Sequence, residues 1–182
     1  MTFTLTSMRP RLPIETVKSV RILTADLERR FLEECDDWQF PVFLTLMLTG
    51  LRPGELTHLH LPEDLDLDAG VLRVSNKPKL HWQVKTRNER EIPVLPVLVR
   101  VLHELLGERK TGPVFLRRRF AGGVRPLLAG KSQSQLEQEL RSRISNAEQG
   151  QRSGLSRTDA AQLACGLWRD AGIIKTERIR IE

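Results

Sequence analysis

The spacing of apolar residues changes twice along this 182-residue chain, and these changes limit the folds open to it. Between residues 25 and 59 apolar side chains recur every three or four positions, which predicts helices. After Pro62 the spacing shortens to that of strands, and from Val97 the helical spacing returns. The pattern predicts an α+β fold, mainly helical, with a small three-stranded antiparallel sheet in the middle of the chain.

Two long helices are predicted before the strands. The first covers about Ala25–Cys35, after Thr24 as its cap, and the second follows the possible caps Asp36 and Asp37. The second carries a wide apolar stripe typical of a core helix, formed by Phe40, Phe43, Leu44, Met47, Leu48 and Leu51. Gly50 suits its end, and Pro53 suits the first turn of a short helix through Leu59. Arg52 then lies at a helix junction, held by the scaffold and open to a partner.

Three strands are predicted next, covering Val71–Val74, Trp82–Lys85 and Arg90–Val94. Residues 86–89 would join the last two as a turn, with Asn88 able to take a positive φ. This places Lys85 at the end of a hairpin. Helical spacing then continues to Gly107, and two later helices are expected, the last with a capping box formed by Ser156 and Asp159.

Cations are clustered in two stretches of a chain whose formal net charge is +6. Residues 73–90 contain six basic side chains and one acid, and residues 109–131 contain seven and none. Such clusters favour a surface that follows nucleic-acid phosphates, although a solvated face that keeps the protein soluble is the alternative. The candidate DNA contacts are Lys77, Lys79, Arg87, Arg90, Arg117, Arg118 and Arg119.

Several classes of protein are disfavoured by the sequence. No apolar run is long enough for a membrane helix, and prolines and arginines interrupt residues 1–22, which read as a linker or arm. Neither the two cysteines nor the pair His58 and His60 has the spacing of a metal site. Each of the three tryptophans is expected to pack rather than to stack on bases. We therefore expect a cytoplasmic protein with no metal, no cofactor and no membrane partner.

Residues 23–106 resemble the first half of the catalytic domain of tyrosine recombinases, the phage integrase family. The resemblance rests on the Leu-Thr-Gly-Leu-Arg-Pro-Gly-Glu-Leu stretch at 48–56 and the Leu-Asp-Leu-Asp stretch at 65–68. It also rests on Val-Lys-Thr-Arg at 84–87 and Arg-Glu-Ile-Pro-Val at 90–94. It implies that residues 23–182 form part of an integrase-like catalytic domain whose partner is double-stranded DNA.

The resemblance implies roles for three residues. Arg52 matches the family's first catalytic arginine, which contacts the scissile phosphate, and a guanidinium fork fits two phosphate oxygens. Lys85 matches the hairpin lysine that protonates the departing 5′ oxygen. Glu55 matches the acidic position that helps to orient the site. The structural alternatives are that Arg52 only caps a helix and that Glu55 only complements a helix dipole.

The chain departs from the family in the rest of its catalytic set. It has no tyrosine, the residue that is the family's nucleophile, and none of its histidines begins a His-x-x-Arg motif. We therefore expect a DNA-binding fragment of a site-specific recombinase that does not itself cleave DNA, with truncation as the explanation and other recombinase protomers as further partners. The alternatives are a non-catalytic DNA-binding module on the recombinase scaffold and a basic helical module that binds RNA or protein.

Overall fold

The structure is a computed structural model that describes residues 22–117, 128–151 and 154–172. Most residues in these ranges are helical, and the short antiparallel strands all lie between the helix Pro53–Leu56 and the helix Gln133–Gln151. The predicted α+β class is therefore confirmed. In chain order the elements are α1 Ala25–Glu33, α2 Gln39–Thr49, α3 Pro53–Leu56, β1 His60–Leu61, β2 Leu65–Asp66, β3 Val71–Val74, a 3-10 helix Pro78–Leu80, β4 Arg90–Pro93, α4 Pro96–Leu106, β5 Gly112–Pro113, α5 Gln133–Gln151 and α6 Arg157–Asp170.

The first helices begin and end where local signals predict. The Leu27 amide donates to the Thr24 hydroxyl at 3.4 Å, which caps α1. Asp36 accepts from the Gln39 amide at 2.8 Å before α2, and Gly50 ends that helix with φ +63°. A positive φ costs little for glycine because it has no Cβ. Pro53 opens α3, which is shorter than predicted because residues 57–58 form a turn.

The three-stranded sheet has the order β2-β3-β4, with every pair antiparallel. Leu65 faces Leu72 across the first pair, and Val74 faces Arg90 across the second. The three-stranded antiparallel sheet is therefore confirmed, but the predicted strand Trp82–Lys85 is wrong. Its place in the sheet is taken by β2, which pairs with β3 on the side opposite β4. Trp82 makes only an isolated bridge, with Lys77. The side chains on either side of it pack in two different cores, so they do not share one face of a sheet.

Two apolar cores lie beneath these elements. The first is formed by α2, α4 and the sheet, with Leu72 and Leu98 wholly buried. The second joins the 3-10 helix to α5 and α6, and its members are Leu80, Leu128, Leu136, Leu140, Ala164, Leu167, Trp168 and Ala171. Trp82 packs against both cores. The apolar residues of α5 form only a narrow stripe, Leu136, Leu140 and Ile144, and this is sufficient because the helix packs on the second core alone.

A second, two-stranded sheet pairs β1, which follows α3, with β5, which follows α4. His60 pairs with Pro113, and Leu61 pairs with Gly112. Gly112 has φ +97°, and a Cβ there would lie 1.6 Å from the Ala129 carbonyl oxygen. Backbone approaches so closely at this point that only glycine fits.

The last helix begins with the predicted capping box. The Ser156 hydroxyl accepts from the Asp159 amide at 3.2 Å, and the Asp159 carboxylate accepts from the Ser156 amide at the same distance. Arg143 of α5 binds Asp170 of α6 at 2.9 Å, which adds an ion pair to the apolar contact between the two helices. Within the ranges described, no helix has the length and apolar character needed to cross a membrane.

Candidate phosphate-binding site

Arg52 lies between α2 and α3, in the position that the sequence predicts. Buried Leu51 anchors the backbone on one side, and Pro53 starts α3 on the other. Arg52 is the extended N-cap residue of α3, with φ −72° and ψ 148°. Its side chain is 48% exposed. The backbone is therefore fixed by packing while the guanidinium reaches solvent.

Glu55 holds Arg52 at two points. Its side chain is 3% exposed, and its Oε2 accepts from the Arg52 backbone amide at 3.0 Å. Its Oε1 lies 3.3 Å from Nη1 of the Arg52 side chain. The structural role of Glu55 as a first-turn acid and the orienting role implied by the family resemblance are thus both compatible with this geometry.

Arg90, the first residue of β4, binds the same carboxylate. Its Nη2 lies 2.6 Å from Oε2 of Glu55, and its Nη1 lies 3.2 Å from Oε1. Burial alone would raise the pKa of Glu55, but the bonds from Arg90 and from the Arg52 backbone outweigh it and hold that pKa below its usual value. The same bonds raise the pKa of Arg90. Two cations therefore share one anion, which leaves an excess positive charge at the surface.

Lys85 lies in an exposed turn, not at the end of a strand hairpin. The Arg87 amide donates to the Val84 carbonyl at 2.8 Å, and Arg87 takes φ +58°. The positive φ predicted for Asn88 thus falls one residue earlier. Within the described part of the chain, no hydrogen bond or ion pair engages the Lys85 ammonium. The structure joins Arg52, Glu55 and Arg90 directly, whereas Lys85 lies on the loop that precedes β4 and makes no described contact with them.

Lys77 does not lie on the cationic surface where the sequence places it. Its Nζ lies 2.7 Å from Oδ2 of Asp64, and both side chains are 1% exposed. The prediction of an exposed phosphate contact at Lys77 is therefore corrected. The partner is 13 positions away in the chain and carries no local signal, so the sequence could not separate Lys77 from its exposed basic neighbours.

The other predicted DNA contacts differ in their exposure and in their partners. Lys79 is 64% exposed and lies 3.6 Å from Glu137. Arg117 is half-buried, and its amide donates to the Gly172 carbonyl at 2.6 Å. Arg118 and Arg119 lie outside the described residues. Lys79 is therefore paired with α5, and the backbone of Arg117 is bonded to a residue just after the end of α6.

The two neighbouring histidines are packing residues in this fold. The His58 ring stacks on Trp82 with a centroid distance of 4.6 Å, and its Nδ1 lies 2.7 Å from the Gly54 carbonyl oxygen. Burial lowers the pKa of His58 to about 4 and that of His60, which is wholly buried, to about 3. Among residues 22–117, 128–151 and 154–172, no cluster of histidine, cysteine and acidic side chains is arranged to hold a metal ion.

Known proteins with similar structures include a recombinase and a transposon integrase. The crystal structure of XerA recombinase is 18% identical, with a TM-score of 0.43, over 90% of this chain and 47% of that one. The Tn1549 transposon integrase in complex with transposon right end DNA is 17% identical, with a TM-score of 0.45, over 90% of this chain and 65% of that one. This chain thus spans about half to two thirds of the solved chains that it matches. No curated protein matches it.

One protein-family model matches this chain over a longer range than the one that contains the motifs quoted above. The model of the phage integrase family matches residues 21–158, whereas the motifs lie within residues 23–106. The matched stretch contains Arg52, Glu55, Lys85 and Arg90, and it takes in most of the chain. The protein belongs to the phage integrase family.

Proposed function

We propose that this chain binds the phosphate backbone of double-stranded DNA as part of the catalytic domain of a site-specific recombinase or integrase. The observation that carries the proposal is the guanidinium of Arg52, half-exposed and held by the buried carboxylate of Glu55. A charged group fixed in this way loses little conformational freedom when it binds an oxyanion.

Arg52 has the geometry for two phosphate oxygens. Its planar fork donates parallel bonds to two oxygens, which a lysine in the same place would not do. Arg90 neutralises Glu55, so that the carboxylate does not repel the incoming phosphate. In strand transfer, the same cations would stabilise the charge that develops on the attacked phosphate. We therefore assign Arg52 to phosphate binding and Glu55 to its orientation.

Lys85 is proposed as the proton donor to the departing 5′ oxygen. The role needs a compact ammonium that reaches the phosphate, and Lys85 is exposed on a turn. Arg87 lies on the same turn and is proposed to contact a neighbouring phosphate. The remaining proposed contacts are Lys79, Arg90, Arg117, Arg118 and Arg119, whereas Lys77 is omitted because it is buried. Lys79 itself is exposed and lies 3.6 Å from the half-buried Glu137, so we propose that DNA can displace this long contact.

The absence of tyrosine bears on which step this chain carries out. In the family that it belongs to, tyrosine supplies the attacking oxygen, so this chain is proposed to bind DNA without forming a covalent link to it. We propose residues 23–182 as the partial catalytic domain and residues 1–22 as an arm, with other recombinase protomers as partners. The second candidate function, a non-catalytic DNA-binding module on this scaffold, is equally compatible with this absence.

Fluorescence anisotropy with a labelled DNA duplex tests the proposal. We expect weak binding that falls steeply as salt rises, because bound cations release counterions from the duplex. Arg52→Ala should weaken binding about tenfold, the loss of one charge-assisted contact, without lowering the melting temperature. Arg141→Ala removes the same charge from an exposed site on α5 and serves as the control.

Three outcomes would contradict the proposal. The first is no binding at low salt, and the second is binding that does not respond to salt. The third is an equal loss of affinity in Arg52→Ala and Arg141→Ala, which would show that only net charge matters. Tighter binding to an RNA duplex than to DNA would favour the alternative of an RNA-binding module.

A further inference from the structure

The segment between β3 and the Lys85 turn, residues 75–84, is anchored at several points, and we name it the bridge segment. Its first anchor is the buried ion pair of Lys77 and Asp64, with 2.7 Å between Nζ and Oδ2. Asp64 also accepts from the His60 amide at 2.7 Å and from the Ser75 hydroxyl at 2.9 Å. Lys77 Nζ lies 3.4 Å from that hydroxyl. Both charges therefore have partners in a region closed to water.

The middle of the bridge segment is held by the second core. Leu80 is wholly buried there and packs with α5 and α6. The backbone then turns back, so that Lys77 and Trp82 exchange two amide-to-carbonyl bonds of 3.0 and 3.1 Å. The Trp82 ring lies 5.5 Å from the Lys77 ammonium, a distance that permits a cation–π contact. Lys77 thus fixes both the start and the return of the loop.

Asn76 connects the bridge segment to both sides of the Lys85 turn. Its side-chain oxygen accepts from the Val84 amide at 2.9 Å, one residue before Lys85. Its backbone amide donates to the Glu89 carboxylate at 2.8 Å, one residue before Arg90. The turn that carries Lys85 is therefore closed by Asn76, and Asn76 is the neighbour of the buried Lys77.

We propose that Lys77, together with Asp64 and Asn76, positions Lys85 for its contact with DNA phosphate. This inference rests on the proposed function of Lys85. A buried ion pair is not the most stabilising choice for a core, since a fold with an apolar pair of similar volume is often as stable or more stable. Its directional bonds set the path of the backbone, which apolar side chains would not do. Lys77 is thus a positioning residue that acts through Lys85 and touches no DNA itself.

A paired substitution separates positioning from stability. Lys77→Met alone leaves the Asp64 charge buried without a partner and is expected to unfold the protein. Lys77→Met with Asp64→Asn removes both charges, while the asparagine oxygen still accepts from His60 and its amide donates to Ser75. We expect this double variant to fold with a melting temperature close to that of the parent, and its affinity for DNA to fall about as much as in Lys85→Ala.

A thermodynamic cycle with Lys85→Ala provides the decisive measurement. If Lys77 acts through Lys85, adding Lys85→Ala to the double variant should cause no further loss of affinity. An independent, additive loss, or full affinity in the folded double variant, would overturn the inference. Asn76→Ala should show the same lack of additivity. Arg141→Ala, introduced into the double variant, is the control that should remain additive.

Hydrogen exchange gives a readout that does not depend on DNA. The Val84 amide, bonded to Asn76, should exchange slowly in the parent and much faster in the double variant and in Asn76→Ala. Unchanged exchange would overturn the positioning inference even if the protein binds DNA. Faster exchange in a protein that fails to bind DNA would instead refute the proposed function and leave Lys77 as a determinant of the loop alone.

Discussion

Arg90 binds Glu55 through two parallel hydrogen bonds, which join the start of β4 to the short helix α3 across 35 positions of sequence. Glu55 in turn binds both the backbone and the side chain of Arg52. The orientation of Arg52 therefore depends, through Glu55, on the first residue of β4. Burial works against the charge of this carboxylate, and the bonds from Arg90 and from the Arg52 backbone outweigh it.

Arg90→Ala should weaken DNA binding both by removing a proposed phosphate contact and through the orientation of Arg52. With Arg90 removed, the pKa of Glu55 should rise, the carboxylate should hold Arg52 less firmly, and affinity should fall about tenfold. Arg90→Lys should recover part of the loss, because an ammonium keeps the charge but not the two-bond geometry. Anisotropy measures the affinity, and carbon NMR of labelled glutamate measures the pKa.

A matched control lies on the neighbouring strand. Arg73→Ala breaks an exposed ion pair of 2.9 Å with Glu91 and removes the same charge. It should leave the pKa of Glu55 unchanged, since Arg73 does not contact that carboxylate. If Arg73→Ala and Arg90→Ala reduce affinity equally, Arg90 acts only through net charge and the proposed orientation of Arg52 is wrong.

Stability should fall in acid because two histidines are neutral in the fold. The pKa of His60 is lowered from 6.5 to about 3, and that of His58 to about 4, so the unfolded chain binds more protons between these values and 6.5. The contribution of these two histidines to the free energy of unfolding is therefore fully present above about pH 6.5 and is lost as the pH falls below that value. For His60 alone the loss at about pH 5 reaches about 2 kcal/mol.

Urea unfolding at several pH values checks this expectation. His60→Gln cannot take up the proton, so the variant should show a flatter pH dependence between about pH 7 and 5, although its stability at neutral pH will differ. Glu55 contributes in the same direction, because its lowered pKa makes stability fall further below about pH 4.5. An equally steep decline in His60→Gln would show that other groups cause the acid sensitivity.

Features fixed by neighbours in sequence could be predicted, and features fixed by distant partners could not. Gly50, Pro53 and the Ser156 box act within four residues, so the corresponding helix ends were predicted correctly. The junction position of Arg52 followed from the same signals. Lys77 was misplaced because its partner Asp64 lies far away in sequence, and apolar spacing does not show that a lysine is buried.

The predicted strand Trp82–Lys85 fails for a related reason. Alternating apolar residues predict one buried face, yet Val84 packs in the first core while Leu80 belongs to the second. Trp82 lies between them and contacts both cores. The local pattern is the same for a strand and for a loop held between two cores, so only the tertiary arrangement distinguishes them.

Gly112→Ala should destabilise the fold strongly. A methyl group there would collide with the Ala129 carbonyl, and φ +97° is unfavourable for alanine. We expect a loss of at least about 2 kcal/mol in urea unfolding. Gly150→Ala is the control, because that glycine lies in α5 with open space around it, and alanine there should stabilise the helix by up to about 1 kcal/mol. Equal effects of the two substitutions would contradict the close approach.

No covalent link to DNA should form when this chain is incubated with a nicked duplex that traps cleavage intermediates. Arg52 and Lys85 would supply charge neutralisation and a proton, but neither supplies the oxygen that must attack phosphorus in line with the departing 5′ oxygen. The carboxylate of Glu55 is committed to two arginines, and the sequence has no tyrosine. Groups that act together in one transition state are not additive, so this partial set should give no measurable fraction of the full activity.

A denaturing gel of labelled DNA tests this expectation, with protein digestion to confirm that any slow band contains polypeptide. Binding of the same duplex, measured by anisotropy, serves as the positive control that the protein is active in solution. A band of DNA linked to the chain would show that another side chain attacks the phosphate. Its loss in Arg52→Ala would then place the reaction at the Arg52 site, whereas its persistence would place it elsewhere on the protein.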